Sequence, residues 1–340
     1  MGHLSEEQMK KTYFYSVDLI KFISSLMIMY YHRYIIGYER FTYPFTDAWI
    51  FVELFLMVTG YFTYCHFLRS DDPHIVQYTL SKIKRLMPYV VFTVLASYLC
   101  VNLPLFCAGD LYTAVSNAKD LPAELLLMRA LIKSPDQMIF YCGNLWYLSA
   151  LLVVLPVFCL LCEKCRKYIL PIAFVYCPVY YIYTGASAVT LAPRCLLRTL
   201  AGLLAGVLIY HLSAYVRAHP RFSPVVYTLA EGMLLASVFV GLYLNCRNFE
   251  NYVMAFILFL TIVFSQRAIQ LPLRPKAANL MGELSAVIFV THALAFNICK
   301  TFLSTYAHRD IAYYLLAIVI AGIAYGIQRG VSHRRQLSVQ

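Results

Sequence analysis

Residues 18–34 read DLIKFISSLMIMYYHRY, an apolar run that carries Lys21 near one end and His32 near the other. An ammonium at the centre of a bilayer costs about 2.5 to 3.5 kcal/mol on insertion scales, so a membrane helix that keeps one has a use for it. Eleven residues of helix separate the two groups by about 16 Å along the axis. Eleven steps of 100° return nearly to the same face, so one stripe carries a cation at one level and an imidazole at another. With a cytoplasmic N-terminus, Lys21 lies in the inner half of the membrane and His32 near the outer surface.

The rest of the chain repeats the pattern. Of 340 residues, 61% are hydrophobic and only 13% are charged, too few to cover a soluble domain. The fold class expected is all-α, a polytopic integral membrane protein of about ten transmembrane helices. Predominantly apolar segments lie near 13–37, 47–67, 88–107, 144–162, 168–184, 195–213, 224–244, 251–265, 280–304 and 311–327. The eighth is short and the fifth contains Pro171 and Pro178. They form a single domain over 1–340, with cytoplasmic tails at 1–12 and 328–340. The first run is too long for a signal peptide and lacks a small-x-small cleavage site, so it is read as a retained helix.

Charge placement supplies an independent test. With both termini cytoplasmic, 17 of the 28 Lys and Arg residues fall in inner segments, among them Arg69, Lys82, Lys84, Arg85, Lys164, Arg217 and Arg267. The net charge of +11 is thus explained by topology, and no separate basic domain suggests nucleic acid. Basic inner loops also attract anionic membrane lipids and a phosphate-rich cytosolic cofactor. Eleven cysteines are mostly dispersed through the spans. Cys159, Cys162 and Cys165 share one helix end without an evident fourth ligand, so no metal is expected.

The second span, WIFVELFLMVTGYFTYCHF, places Glu53 in a costly position and follows it with Thr59 and Gly60, the glycine permitting close helix approach. Entering from outside, Glu53 falls at about the depth of His32. There it either charges or orients the imidazole, or holds two helices together as an ion pair. Arg198 in the sixth span precedes the small pair Gly202 and Gly206. It is read as a donor to an oxyanion or acceptor, or as one half of a helix-to-helix salt bridge. Ser285 and His292, two turns apart in the ninth span, face broadly the same side. Trp146 and Tyr147 are placed as interfacial anchors that border a sugar.

Five elements in order carry a resemblance: Lys21 and His32 with ten residues between them, the run VELFLMVTGYF, the basic stretch Lys82-Ile83-Lys84-Arg85-Leu86-Met87-Pro88-Tyr89, Asn144-Leu145-Trp146-Tyr147-Leu148, and Gly282-Glu283-Leu284-Ser285 with His292. Together they resemble the membrane acyltransferase-3 family, integral-membrane O-acyltransferases of exported carbohydrates. Three departures stand out: Lys at 21 where Arg is common, Thr at 59 where Ser is frequent, and no esterase-like domain after the last span. The last implies acyl delivery alone or with a separate partner.

The resemblance implies transfer of an acyl group, most often acetyl, from cytosolic acetyl-CoA or another acyl-CoA to a hydroxyl of an extracytoplasmic or lipid-linked glycan, with the protein in the plasma membrane. His32 is then the base and Glu53 its partner, and a covalent acyl-histidine relay stays open beside this. Lys21, Lys82, Lys84, Arg85 and Tyr89 are the expected acyl-CoA contacts, the cations for its phosphates. The competing reading from the same intramembrane Lys, Glu, His and Arg is a secondary transporter with a proton relay. A non-catalytic sensor or scaffold is the third.

Overall fold

The computed structural model describes residues 15–35, 45, 47–70, 74–131, 141–184, 193–244, 249–269, 275–306 and 308–337. The expected tail at 1–12 lies outside these residues. The structure is helical, with no strand among the described residues. Ten long helices stand where the sequence places spans: α1 (Tyr15–Ile35), α2 (Phe51–Arg69), α4 (Met87–Cys107), α7 (Trp146–Lys164), α8 (Ile169–Thr184), α9 (Arg194–Ala218), α10 (Pro224–Tyr243), α11 (Phe249–Ser265), α12 (Pro275–Phe302) and α13 (Arg309–Leu337). Three short helices join them: α3 (Ile75–Lys84), α5 (Leu111–Asn117) and α6 (Leu121–Leu125).

Seven of the long helices are apolar and long enough to cross a membrane, which makes this a multi-pass membrane fold. The other three fall short for identifiable reasons. Asp18, Lys21 and His32 lower the hydropathy of α1. The 16 and 17 residues of α8 and α11 reach only about 24 to 26 Å, less than a hydrocarbon core of about 30 Å. At the C-terminus α13 continues to Leu337, so the expected tail from 328 begins as helix.

Pairing between helices fixes the site. In α2, a Cβ on Gly60 would collide with the carbonyl oxygen of Leu203. In α9, a Cβ on Gly206 would collide with the amide nitrogen of Tyr61, and one on Gly202 would meet the Leu56 side chain. The three glycines therefore belong to one crossing, at which the two backbones approach more closely than any side chain allows. The contacts advance in the same direction along both chains, Glu53 with Arg198 and Tyr64 with His211, so α2 and α9 run parallel. This is the relation that alternating spans require of the second and sixth.

Helix α1 likewise runs beside α12 in parallel. Gly282 leaves room for the carboxylate of Asp18 at one end, and the rings of His32 and His292 meet at the other. In consequence the last turn of α1, the first turns of α2, α7 and α9, and the second half of α12 gather at one end of the bundle. The first turns of α1 and α12 gather at the opposite end with α3. That small amphipathic helix buries Thr79 and Ile83, and hydrogen bonds Tyr78 Oη to Thr63 Oγ1 of α2 at 3.0 Å.

Candidate active site

The gathered ends enclose a cavity of about 470 Å³. It is lined by His32 from α1, His292 from α12, Arg198 from α9 and Asn144 from the turn that opens α7, with Trp49 and Trp146 also in the lining. Arg129, Tyr141, Asn297 and Lys300 line it as well, the last of them exposed.

His32 and His292 have ring centroids 4.9 Å apart. The Nδ1 of His292 lies 3.0 Å from the carbonyl oxygen of Ile288. A carbonyl only accepts, so Nδ1–H donates and the lone pair of the neutral ring is left on Nε2. The backbone of α12 thus sets the tautomer of one imidazole of the pair.

Glu53 serves a different neighbour from the one the sequence suggested. Its Oε1 accepts from Arg198 Nε at 2.5 Å and its Oε2 accepts from Tyr181 Oη at 2.8 Å. The carboxylate is 1% exposed and the arginine side chain 3%. Of the two readings of Glu53, the ion pair between helices is the one built here, and the partner is α9, not His32. The cause lies in the glycine crossing, which brings the start of α9 against that of α2.

Arg198 is held from three sides. Its guanidinium carbon lies 5.0 Å from the ring of Trp49 and 5.1 Å from that of Trp146, a cation between two π faces. Trp49 is in turn fixed by its Nε1, which donates to Asp47 Oδ1 at 3.1 Å. The Nη2 of Arg198, in a residue that lines the cavity, is buried without a hydrogen-bond partner among the described residues. Asn144 behaves similarly: its Nδ2 donates to the carbonyls of Phe289 at 2.5 Å and Val290 at 3.1 Å, which fixes the amide orientation. Its Oδ1 is buried and has no hydrogen-bond partner among the described residues. One donor and one acceptor therefore stand in the wall beside the histidines, each at the cost of an unmade hydrogen bond.

Two other residues singled out from sequence lie away from the cavity wall. Tyr147 is buried with its hydroxyl 3.4 Å from Thr59 Oγ1 and its ring against Phe289. Ser285 is buried and donates to the carbonyl of Gly282 at 2.8 Å, tied to its own helix. The sequence did not single out Trp49, Arg129, Asn297 or Lys300. The first had one usable signal, since Trp49 and Trp146 are the only tryptophans in the chain.

At the other end, Lys21 Nζ is 3.0 Å from Asp18 Oδ1. Lys82 of α3 is exposed at its surface yet partly shielded from water by its neighbours, and that desolvation, then the charges of Arg85 and Lys21, pull its ammonium below the usual lysine range. Tyr89 is buried with Arg85 and Glu283 as its charged neighbours, and Tyr325 Oη donates to Glu283 Oε2 at 2.6 Å. Lys84 belongs elsewhere: with Glu163 it borders a separate surface groove on the far side of α3.

The fold and the site define a class: a multi-pass helical membrane protein whose bundle encloses a paired-imidazole cavity at one end and gathers cations at the other. The family model Acyl_transf_3, described as an acyltransferase domain, matches residues 14–326, and the chain belongs to that family. It is a membrane acyltransferase. No curated protein and no solved structure matches the chain.

Proposed function

We propose that the protein transfers an acyl group, acetyl in the simplest case, from cytosolic acyl-CoA to a hydroxyl of an extracytoplasmic or lipid-linked carbohydrate. The observation that carries this reading is the histidine pair in the cavity beside the unpartnered Nη2 of Arg198. His32 is the base. It takes the proton of the acceptor hydroxyl as that oxygen attacks the thioester carbonyl, a step in which a positioned base is typically worth about 10² to 10⁴ in rate. His292, held by the Ile288 carbonyl, positions it. Arg198 Nη2 donates to the oxyanion that forms, and Glu53 and the two tryptophans keep the guanidinium in place for this. Collapse of the tetrahedral centre expels the coenzyme A thiolate, which recovers the proton from the imidazole.

Lys21, Lys82 and Arg85 are the reading's phosphate contacts. Lys21 stands about 16 Å below His32 on the same helix, comparable with an extended pantetheine arm. The same reading puts the protein in the plasma membrane with both termini cytoplasmic, and the excess of Lys and Arg at the Lys21 end supports it.

The test is transfer of label from acetyl-CoA into membrane glycans or lipids by the wild-type chain and by His32→Ala at matched levels. Label with wild type, reduced at least about 100-fold in the variant, is the expected result. Label unaffected by the substitution removes His32 from the chemistry, and no label with either overturns transfer from acetyl-CoA.

A further inference from the structure

The cavity is wider in its requirements than a hydroxyl and a thioester explain. Along α12 its lining runs from the buried Phe289 and His292 through Asn297 to the exposed Lys300, so Lys300 stands about 12 Å farther along the axis than the histidine. Arg129, from the turn Arg129–Leu131, lines the same cavity. Every ionic group in the lining is therefore basic: Arg198 at depth, then Arg129 and Lys300, with two imidazoles and no Asp or Glu among the described lining residues.

The carboxylates that balance these cations sit behind them. Glu53 faces Arg198 from within α2, and Glu124, the acidic neighbour of Arg129, is buried with its oxygens on the backbone N–H groups of Tyr141 and Cys142 at 3.0 and 2.6 Å. Asp47 accepts from the indole of Trp49 and does not line the cavity. Lys300 has no acidic partner among the described residues. The wall also holds neutral acceptors, Asn144 Oδ1 among them, which suit a hydroxyl; its ionic groups, however, are cations with the described acids outside the lining, and these suit oxygen that carries negative charge.

We infer that the acceptor is anionic, and that a carboxylate or phosphate of it docks on Lys300 and Arg129 while its hydroxyl reaches the histidine pair. This rests on the acyl-transfer reading above. Lys300 leaves α12 about 12 Å beyond His292, with a long side chain that spans part of that rise, so the charge is carried by the acylated unit or its neighbour: an acidic sugar, or the diphosphate of a lipid carrier.

The test uses membranes holding the full chain and its own acceptor, supplied with labelled acetyl-CoA. Acetyl brings no charge, so retention of the labelled product on an anion exchanger reports the acceptor. Retention is expected; if it persists after mild acid has cut any diphosphate linkage, the charge is in the glycan, and if it is lost, in the carrier. At limiting acceptor, Lys300→Ala is expected to slow transfer roughly three- to tenfold, Lys300→Glu further, and Lys300→Arg to restore it, with the acetyl-CoA KM unchanged. Label that passes unretained, or rates indifferent to Lys300→Glu, overturns the inference and leaves acyl transfer standing. No label at all removes the acyl-transfer reading beneath it.

Discussion

The two ends of α1 solve opposite problems with the same kind of residue. At the His32 end, three buried polar side chains are each fixed by specific partners: Arg198 by Glu53 and two indoles, His292 by a backbone carbonyl, Asn144 by two more. At the Lys21 end, Lys82 and Arg85 are exposed, and of the three cations Lys21 alone has an ion-pair partner among the described residues, one turn away on its own helix. Fixed geometry suits a place where bonds are made and broken; loosely held charge suits the capture of phosphates that arrive and leave. A cation's environment, and not its identity, separates the two roles.

The largest expected effect breaks the fixed end. Glu53→Ala strands a buried guanidinium and removes the acceptor of Tyr181, and is expected to cost about 3 to 5 kcal/mol of stability, read as a lowered melting temperature in detergent. Glu53→Gln keeps an acceptor oxygen and is expected to lose less. If Glu53 served His32 instead, the alanine variant would melt like wild type and lose only rate.

A moderate effect is expected at the loose end. Lys82→Ala with Arg85→Ala should raise the acyl-CoA KM about tenfold at nearly constant kcat, since exposed charge contacts to phosphate are individually modest. Lys84→Ala, on the far side of α3, should change it by less than about twofold. Equal effects from all three would mean that the basic run acts as a diffuse field and that its helix does not sort it.

The sorting of that run shows where sequence reading succeeds and where it stops. Hydropathy is a local property, so the positions of all ten long helices were legible, as was the tight approach at Gly60 and, separately, at Gly202 and Gly206. That these glycines meet one another was not, because no local signal says which helices cross. For the same reason Glu53 was matched to His32 by depth alone, when its partner Arg198 lies 145 residues away in sequence. Lys82 and Lys84 were read as equivalent because α3 was not expected; two residues apart on a helix point about 200° apart, and only one of them faces Lys21. His292 was legible as a polar group in an apolar span, but its meeting with His32 depends on α1 lying parallel to α12.

The smallest effect concerns the turns over the cavity. Burial raises the Glu124 carboxyl above the ordinary carboxylate value, against the opposing pull of the Tyr141 and Cys142 amides and Arg129. A group that binds its proton more tightly folded than unfolded favours the fold most fully below its unfolded value, and that contribution is lost as pH rises through the folded one. The melting temperature of wild type minus that of Glu124→Gln should therefore decline as pH rises from the ordinary carboxylate range. A difference independent of pH would place Glu124 in water and loosen this end of the comparison.

The placement of Trp49 and Trp146 has a spectroscopic consequence. Both indoles of the chain stand against one guanidinium in one cavity, so the tryptophan emission of the whole protein originates there. Excited at the red edge, where its 29 tyrosines do not absorb, the unlabelled protein reports arrival of an acceptor or an acyl thioester as a change in colour or yield, with no fluorophore to attach and no background from the rest of the fold.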